Sequence, residues 1–139
     1  METTLILLKP DCFNKNMIGQ VIARFEKSDL VVCGCKMLKL SKEILEEHYA
    51  HIAQKPFFGE VLGYMQSTPV IALALSGNDS VSRVRDLVGP TDSRKAEKGT
   101  IRGDLGEDNM RNVVHASDSP ESAAVELKRF FQDGEVFAR

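Results

Sequence analysis

No apolar run in this chain approaches the roughly 20 residues that a membrane-crossing helix requires, and no spanning segment is expected. The N-terminal stretch carries Glu2 and only Leu5-Ile6-Leu7-Leu8 as its apolar part. That is too little for a secretory signal, and the expectation is a cytoplasmic protein. Cysteine is scarce. Cys12, Cys33 and Cys35 form an odd set without metal-ligand spacing, which argues for free thiols in a reducing compartment. Cys33 and Cys35 are expected on one face of a strand, as packing residues. Positive charge is not in excess, since 18 Lys and Arg against 20 Asp and Glu leave a net charge of −2. No broad field directed at nucleic acid follows. Glycine-rich phosphate loops are missing too: neither G-x-x-x-x-G-K-[ST] nor G-x-G-x-x-G occurs. Any phosphate bound here must be held by side chains. There is no internal repeat, linker or low-complexity segment, and the length of 139 residues fits one domain, 1–139.

What is present alternates between strand and helix patterns. Thr3 to Lys9 reads as a central strand, buried on both faces, with Lys9 at its end held extended by Pro10. Ile18, Val21, Ile22 and Phe25 follow helical spacing, and Leu30 to Leu40 reads as a second strand in which Gly34 marks a bulge or a close contact. Ser41 caps a helix whose stripe is Leu45, Tyr49 and Ile52. His48 and His51 are three apart on it, but no third ligand is evident, and both are read as structural or surface residues. Pro56 opens a helix with the stripe Phe58, Val61, Leu62 and Met65. Phe57 falls roughly 90° off that stripe, so it either covers a second patch of core or is free to stack on a nucleobase. Pro69 to Leu75 is a third strand, followed by a helix on Val81, Val84 and Val88 that Arg85 borders. Thr91 to Arg111 has no clear periodicity, and a loop this long is usually functional or disordered. Arg85, with Thr91 and Arg102 of that loop, is a candidate phosphate holder, because guanidinium forks suit phosphate oxygens.

The most informative stretch is Asn112-Val-Val-His-Ala-Ser-Asp-Ser119. Asn112 to Val114 reads as a strand end, His115 follows directly, and Ser119-Pro120 opens the last helix. A histidine between a strand end and a helix N-terminus sits beside backbone N–H groups that favour anions. The last helix buries Ala123, Leu127 and Phe130, which leaves Glu126 roughly 60° from the centre of the stripe. A carboxylate there is either solvated at the edge or partnered. A histidine N–H is a natural partner, since it fixes the tautomer and frees the other ring nitrogen as a nucleophile.

The Asn112-x-x-His115-x-Ser117-Asp118-Ser119 stretch resembles the active-site signature of nucleoside diphosphate kinases. Lys9-Pro10-Asp11, His48-Tyr49, Pro56-Phe57-Phe58 and Gly99-Thr100-Ile101-Arg102-Gly103-Asp104 match that family in order and spacing over nearly the whole chain. The resemblance implies an α+β, ferredoxin-like sandwich with a four-stranded antiparallel sheet, in preference to a doubly wound parallel sheet. It implies a ping-pong transfer of the γ-phosphate from nucleoside triphosphates to diphosphates, ribo- and deoxyribo-, through phosphohistidine at His115. Lys9, Tyr49, Arg85, Thr91, Arg102 and Asn112 would surround the phosphates, Phe57 would carry the base, and Ser117 would help hold Glu126. Mg²⁺ would arrive with the nucleotide, touched through water by Asp118 or Asp11, and no protein-held metal site is expected. The family assembles as tetramers or hexamers built from dimers. Three departures stand out: Ala116 where the family commonly has Gly, Asp92-Ser93 where Asn-Pro is frequent, and the polar Asn109 at a position often apolar. A nucleotide-binding or regulatory protein that keeps the fold without turnover is the rival reading.

Overall fold

The computed structural model describes all 139 residues. Its elements are β1 (Glu2–Leu8), α1 (Pro10–Asn14), α2 (Ile18–Lys27), β2 (Val31–Leu38), α3 (Lys42–His48), α4 (Phe58–Met65), β3 (Val70–Gly77), α5 (Ser80–Val88), α6 (Ile101–Leu105), β4 (Val114–Ala116) and α7 (Pro120–Phe130). The strands form one sheet in the order β2-β3-β1-β4, and all three pairings are antiparallel. This is the expected ferredoxin-like arrangement, with β1 and β3 in the middle.

The apolar run of β1 explains why the sheet is buried on both sides. Side chains alternate across a strand. Ile6 and Leu8 therefore join the core formed with Val21 and Phe25 of α2 and Val84 and Val88 of α5. Leu5 and Leu7 join the opposite core with Leu45, Phe58, Met65 and Phe130. Each of the four is fully buried, a gain of about 1.5–3 kcal/mol per side chain.

The serine caps act as the sequence implies. Ser41 Oγ accepts from Ile44 N–H at 3.1 Å, and Ser119 Oγ accepts from Ser122 N–H at 3.0 Å with Pro120 in the first turn. The bulge expected at Gly34 is present, as a register shift between Val32 and Gly34. It separates the two cysteines that simple alternation would put together: Cys33 is buried and Cys35 exposed.

Five boundaries differ from the sequence reading. Helix α3 ends at His48, so Tyr49 is its cap and Ile52 of the expected stripe lies beyond it. Pro10 opens a five-residue helix instead of only ending a strand. The fourth helix begins at Phe58, two residues beyond Pro56. The segment from Thr91 to Arg111 holds a 3-10 turn at Ser93–Lys95 and helix α6. Both are capped by side chains, Asp92 on Arg94 N–H and Thr100 on Gly103 N–H, but they are too short to show a period. Finally, β4 starts at Val114, so His115 lies within the strand and Ala116 is a strand residue in the core rather than part of a turn.

Candidate active site

His115 pairs with Leu7 across β1 and β4. Directly opposed residues share a face, so His115 points to the Leu7 side of the sheet, where α3 and α7 lie. There Glu126 Oε1 is 2.7 Å from His115 Nε2 and also accepts from Ser117 Oγ at 2.9 Å. Burial works to raise the Glu126 carboxyl, but the hydrogen bonds from His115 and Ser117 outweigh it and hold the group below its ordinary value. An ionised carboxylate only accepts. Nε2 therefore carries the ring proton and Nδ1 keeps its lone pair.

The turn before His115 is strained. Val113 has φ of +74°, and Val114 N–H donates to Asn112 C=O at 2.9 Å. That combination is a γ-turn of the rare positive-φ kind, at a β-branched residue for which such backbone is an outlier. It ends any extended run at Val113, which is why the strand starts at Val114, two residues later than the sequence suggests. Asp11 secures it: one carboxylate oxygen accepts from Val113 N–H at 3.0 Å, the other from Tyr64 Oη at 2.7 Å. Asp11 is buried and so committed that the outer-sphere contact to Mg²⁺ considered for it does not fit. Asp118 is exposed at the cavity rim and hydrogen-bonded to Arg85 Nη1 at 2.6 Å.

The turn also aims Asn112. Its Oδ1 accepts from Lys9 Nζ at 2.7 Å, while Nδ2 donates to the Thr91 and Asn109 carbonyls. Lys9 Nζ donates further to Met110 C=O at 2.6 Å. Burial lowers the Lys9 pKa to about 8, with the Asp11 carboxylate opposing the fall. Arg102 differs from the free fork expected of it. Its three nitrogens donate to the carbonyls of Asn112, Gly89 and Val114 at 3.1, 3.0 and 2.7 Å. It staples the end of α5 to β4, keeps two of its five N–H groups for other partners, and places a fixed positive charge under the cavity. Gly103 permits this packing, because a Cβ there would lie 1.9 Å from the Glu97 carbonyl oxygen. Arg85, on α5, is half-exposed.

Tyr49 caps the end of α3 just past His48, and burial pushes its hydroxyl up to about 12. Two cavities meet here. One of about 390 Å³ is lined by His115, Glu126, Arg85 and Arg102. The other, of about 630 Å³, is lined by Phe57, Val61, Tyr64 and Arg111. Lys9, Tyr49, His51, Thr91 and Asn109 line both, so the two are continuous. Phe57 is 49% exposed, as its off-stripe position implies. Every residue singled out from the sequence therefore borders this space or holds a neighbour that does. His48, read as structural or surface, is buried with its ring centroid 4.4 Å from that of His115. The third member missing from the His48–His51 pair is supplied elsewhere: His48, His115 and Glu126 lie together, and His51 is not among them. The parts not anticipated, Tyr64 and the Val113 turn, depend on chain reversals that carry no local signal.

Fold and site together define an antiparallel α+β sandwich with a carboxylate-held histidine in a cleft lined by Lys9, Arg85 and Arg102. The sequence relationship is specific: residues 2–136 match the nucleoside diphosphate kinase family, and the chain belongs to it. A nucleoside diphosphate kinase of Parabacteroides distasonis is 50% identical over 99% of this chain and 90% of that protein. The structure of the Halobacterium salinarum nucleoside diphosphate kinase in complex with CDP superposes with a TM-score of 0.95 at 36% identity, covering 99% of this chain and 92% of that one. The Aquifex aeolicus enzyme gives 0.91 at 40% identity, covering 97% and 98%.

Proposed function

We propose that this chain transfers the γ-phosphate of a nucleoside triphosphate to a nucleoside diphosphate in two steps, through a phosphohistidine at His115. Phosphotransfer between nucleotides is the activity its family membership assigns. The observation that supports this route is the Glu126–His115 pair, which leaves Nδ1 as an open lone pair facing a cavity rich in donors. Nδ1 attacks the γ-phosphorus as the bond to the β-phosphate oxygen breaks. The diphosphate leaves, and an incoming diphosphate takes the phosphoryl group back. Glu126 stabilises the imidazolium that charge transfer creates. Lys9, Arg85 and Arg102 face the negative charge on the phosphoryl oxygens, where positioning and electrostatics supply most of the catalysis. Magnesium would come with the nucleotide substrate, and Asp118, at the cavity rim, is the residue that would meet its water shell. The tetramer or hexamer built from dimers, a cytoplasmic location and a chain made of one domain belong to this reading as proposals. No helix is long and apolar enough to cross a membrane.

The test is incubation with γ-labelled ATP and Mg²⁺, isolation in alkali, and a chase with GDP. Alkali-stable, acid-labile label on His115 that moves to GDP is the expected result. Binding without label would favour a fold kept for regulation.

Two further outcomes are expected. Phe57→Ala should weaken every nucleotide by about 1–3 kcal/mol, the usual worth of stacking on one aromatic. Calorimetric titration with adenine, guanine and cytosine diphosphates checks this, and a loss confined to one base would contradict a sequence-tolerant platform. The rate of phosphoenzyme formation should fall as pH rises through about 8, because Lys9, depressed to that value by burial, then loses the charge that faces the phosphate. A rate flat to pH 10 would show that the Lys9 charge is not used.

A further inference from the structure

The reaction proposed above leaves His48 unexplained. It is a buried imidazole packed edge-to-face on His115, with the ring planes at 81°, and it lines the same cavity. Its Nδ1 is 2.9 Å from Arg129 Nη1. A guanidinium can only donate, so Nδ1 must accept, and the neutral ring carries its proton on Nε2. Burial, with His115 alongside, holds the His48 pKa down to about 3, so the ring is neutral at ordinary pH. Arg129 follows Glu126 by three positions on α7, and residues so spaced are neighbours on a helix. One helix thus addresses two adjoining imidazoles, Glu126 the first and Arg129 the second. Arg129 is itself held: its Nε lies 3.2 Å from Glu47 Oε1, a charge contact not aligned as a hydrogen bond, with the Arg129 side chain 11% exposed.

His48, His115 and Glu126 have the composition of a zinc site, with possible ligand atoms within 4.8 Å of one another. Arg129 argues against that use. It occupies the one lone pair of His48, and the other nitrogen is protonated, so this ring has no ligand atom to offer.

We propose that Arg129 is a positioning residue for phosphoryl transfer: by capping Nδ1 of His48 it fixes the Nε2–H tautomer, which turns the wall beside His115 into a hydrogen-bond donor and leaves His115 as the only one of the two imidazoles with an open nitrogen. This rests on the reading of His115 as nucleophile. Without the cap, His48 samples the Nδ1–H form. Its Nε2 lone pair then faces the space that phosphoryl oxygens enter, and lone pair meets anion.

The test uses the full chain with its native Arg129 and two variants, Arg129→Met and Arg129→Lys. Nitrogen-15 NMR of the unliganded protein should show His48 with a bare Nδ1 and a protonated Nε2, and Arg129→Met should show tautomer averaging. At saturating ATP–Mg²⁺, Arg129→Met should form phosphoenzyme roughly five- to tenfold more slowly, the scale of one lost ordinary hydrogen bond, with KM unchanged. Arg129→Lys, still a donor-only cation, should restore both the tautomer and the rate. A protonated Nδ1 in the wild-type chain overturns the proposal, as does an unchanged rate in Arg129→Met. A loss that Lys leaves uncorrected, and that tracks a lowered melting temperature, reduces Arg129 to a packing role and overturns it too. A wild-type chain never labelled at His115 overturns the functional reading, while the His48 tautomer is still read independently.

Discussion

His115→Ala is expected to abolish the phosphoenzyme, lowering phosphoryl transfer by ~10⁴-fold or more, as removal of a covalent nucleophile does, while nucleotide still binds. Neither His48 nor Lys9 can take over. The second imidazole there has its lone pair capped by Arg129, and Lys9 has its ammonium donated to Asn112 and Met110. Binding should survive because Phe57 and Val61 sit in the other, larger cavity, and Arg102 is fixed by main-chain carbonyls rather than by His115. The fold should survive as well. His115 pairs with Leu7 through its backbone, and Glu126 keeps Ser117 as a donor when the imidazole is gone. The check is parallel: covalent label per chain after incubation with γ-labelled ATP, and calorimetric affinity for a nucleoside diphosphate. Equal labelling of the variant would place the nucleophile elsewhere.

The sequence carried the fold wherever a pattern was local and long. The β1 run, the α2 stripe and the serine caps of α3 and α7 each state their own structure, and all appear as expected. Alternation failed at Cys33 and Cys35 because a bulge adds one residue, and a bulge changes facing without changing composition. Periodicity failed at α6, whose five residues complete little more than one turn. At the site, the spacing of Glu126 in its helix was enough to put it at the buried edge but left it either solvated or partnered, and the structure supplies the partners, His115 and Ser117. The Val113 turn was not legible. A valine is among the residues least suited to positive φ, and the contacts that hold it there come from Lys9 and Asp11, more than a hundred positions earlier. Likewise Arg102 looked like a free phosphate fork, because three carbonyls reached from distant segments leave no trace in the local pattern. The departures from the family pattern also change meaning in three dimensions. Ala116 adds its methyl to the core. Ser93 is buried with a hydroxyl that finds no partner.

Asp11→Ala should be strongly destabilising, by about 1–3 kcal/mol net, since it strands two donors at about 1–3 kcal/mol each while relaxation of the strained turn returns part of that. The two are Tyr64 Oη and Val113 N–H, in a chain where Val113 is fully buried. A positive-φ valine costs of the order of 1–3 kcal/mol and persists only when its surroundings impose it. Without Asp11, Val113 relaxes toward extended backbone. Its carbonyl, which accepts from Lys9 N–H at 2.9 Å, moves with it. Lys9, Asn112 and His115 then lose their mutual register, and displacement of that kind costs roughly 10²-fold in rate. Asp11→Asn keeps an oxygen for one of the two donors and should fall between wild type and alanine in both measures. Urea denaturation and single-turnover labelling report them separately. The alkaline limb gives a third readout. Asp11 opposes the fall of the Lys9 pKa, so without its negative charge the ammonium is lost sooner, and the limb should move below pH 8 in both variants. A variant that keeps wild-type stability, rate and limb would show that the turn holds itself and that Asp11 supports neither His115 nor Lys9.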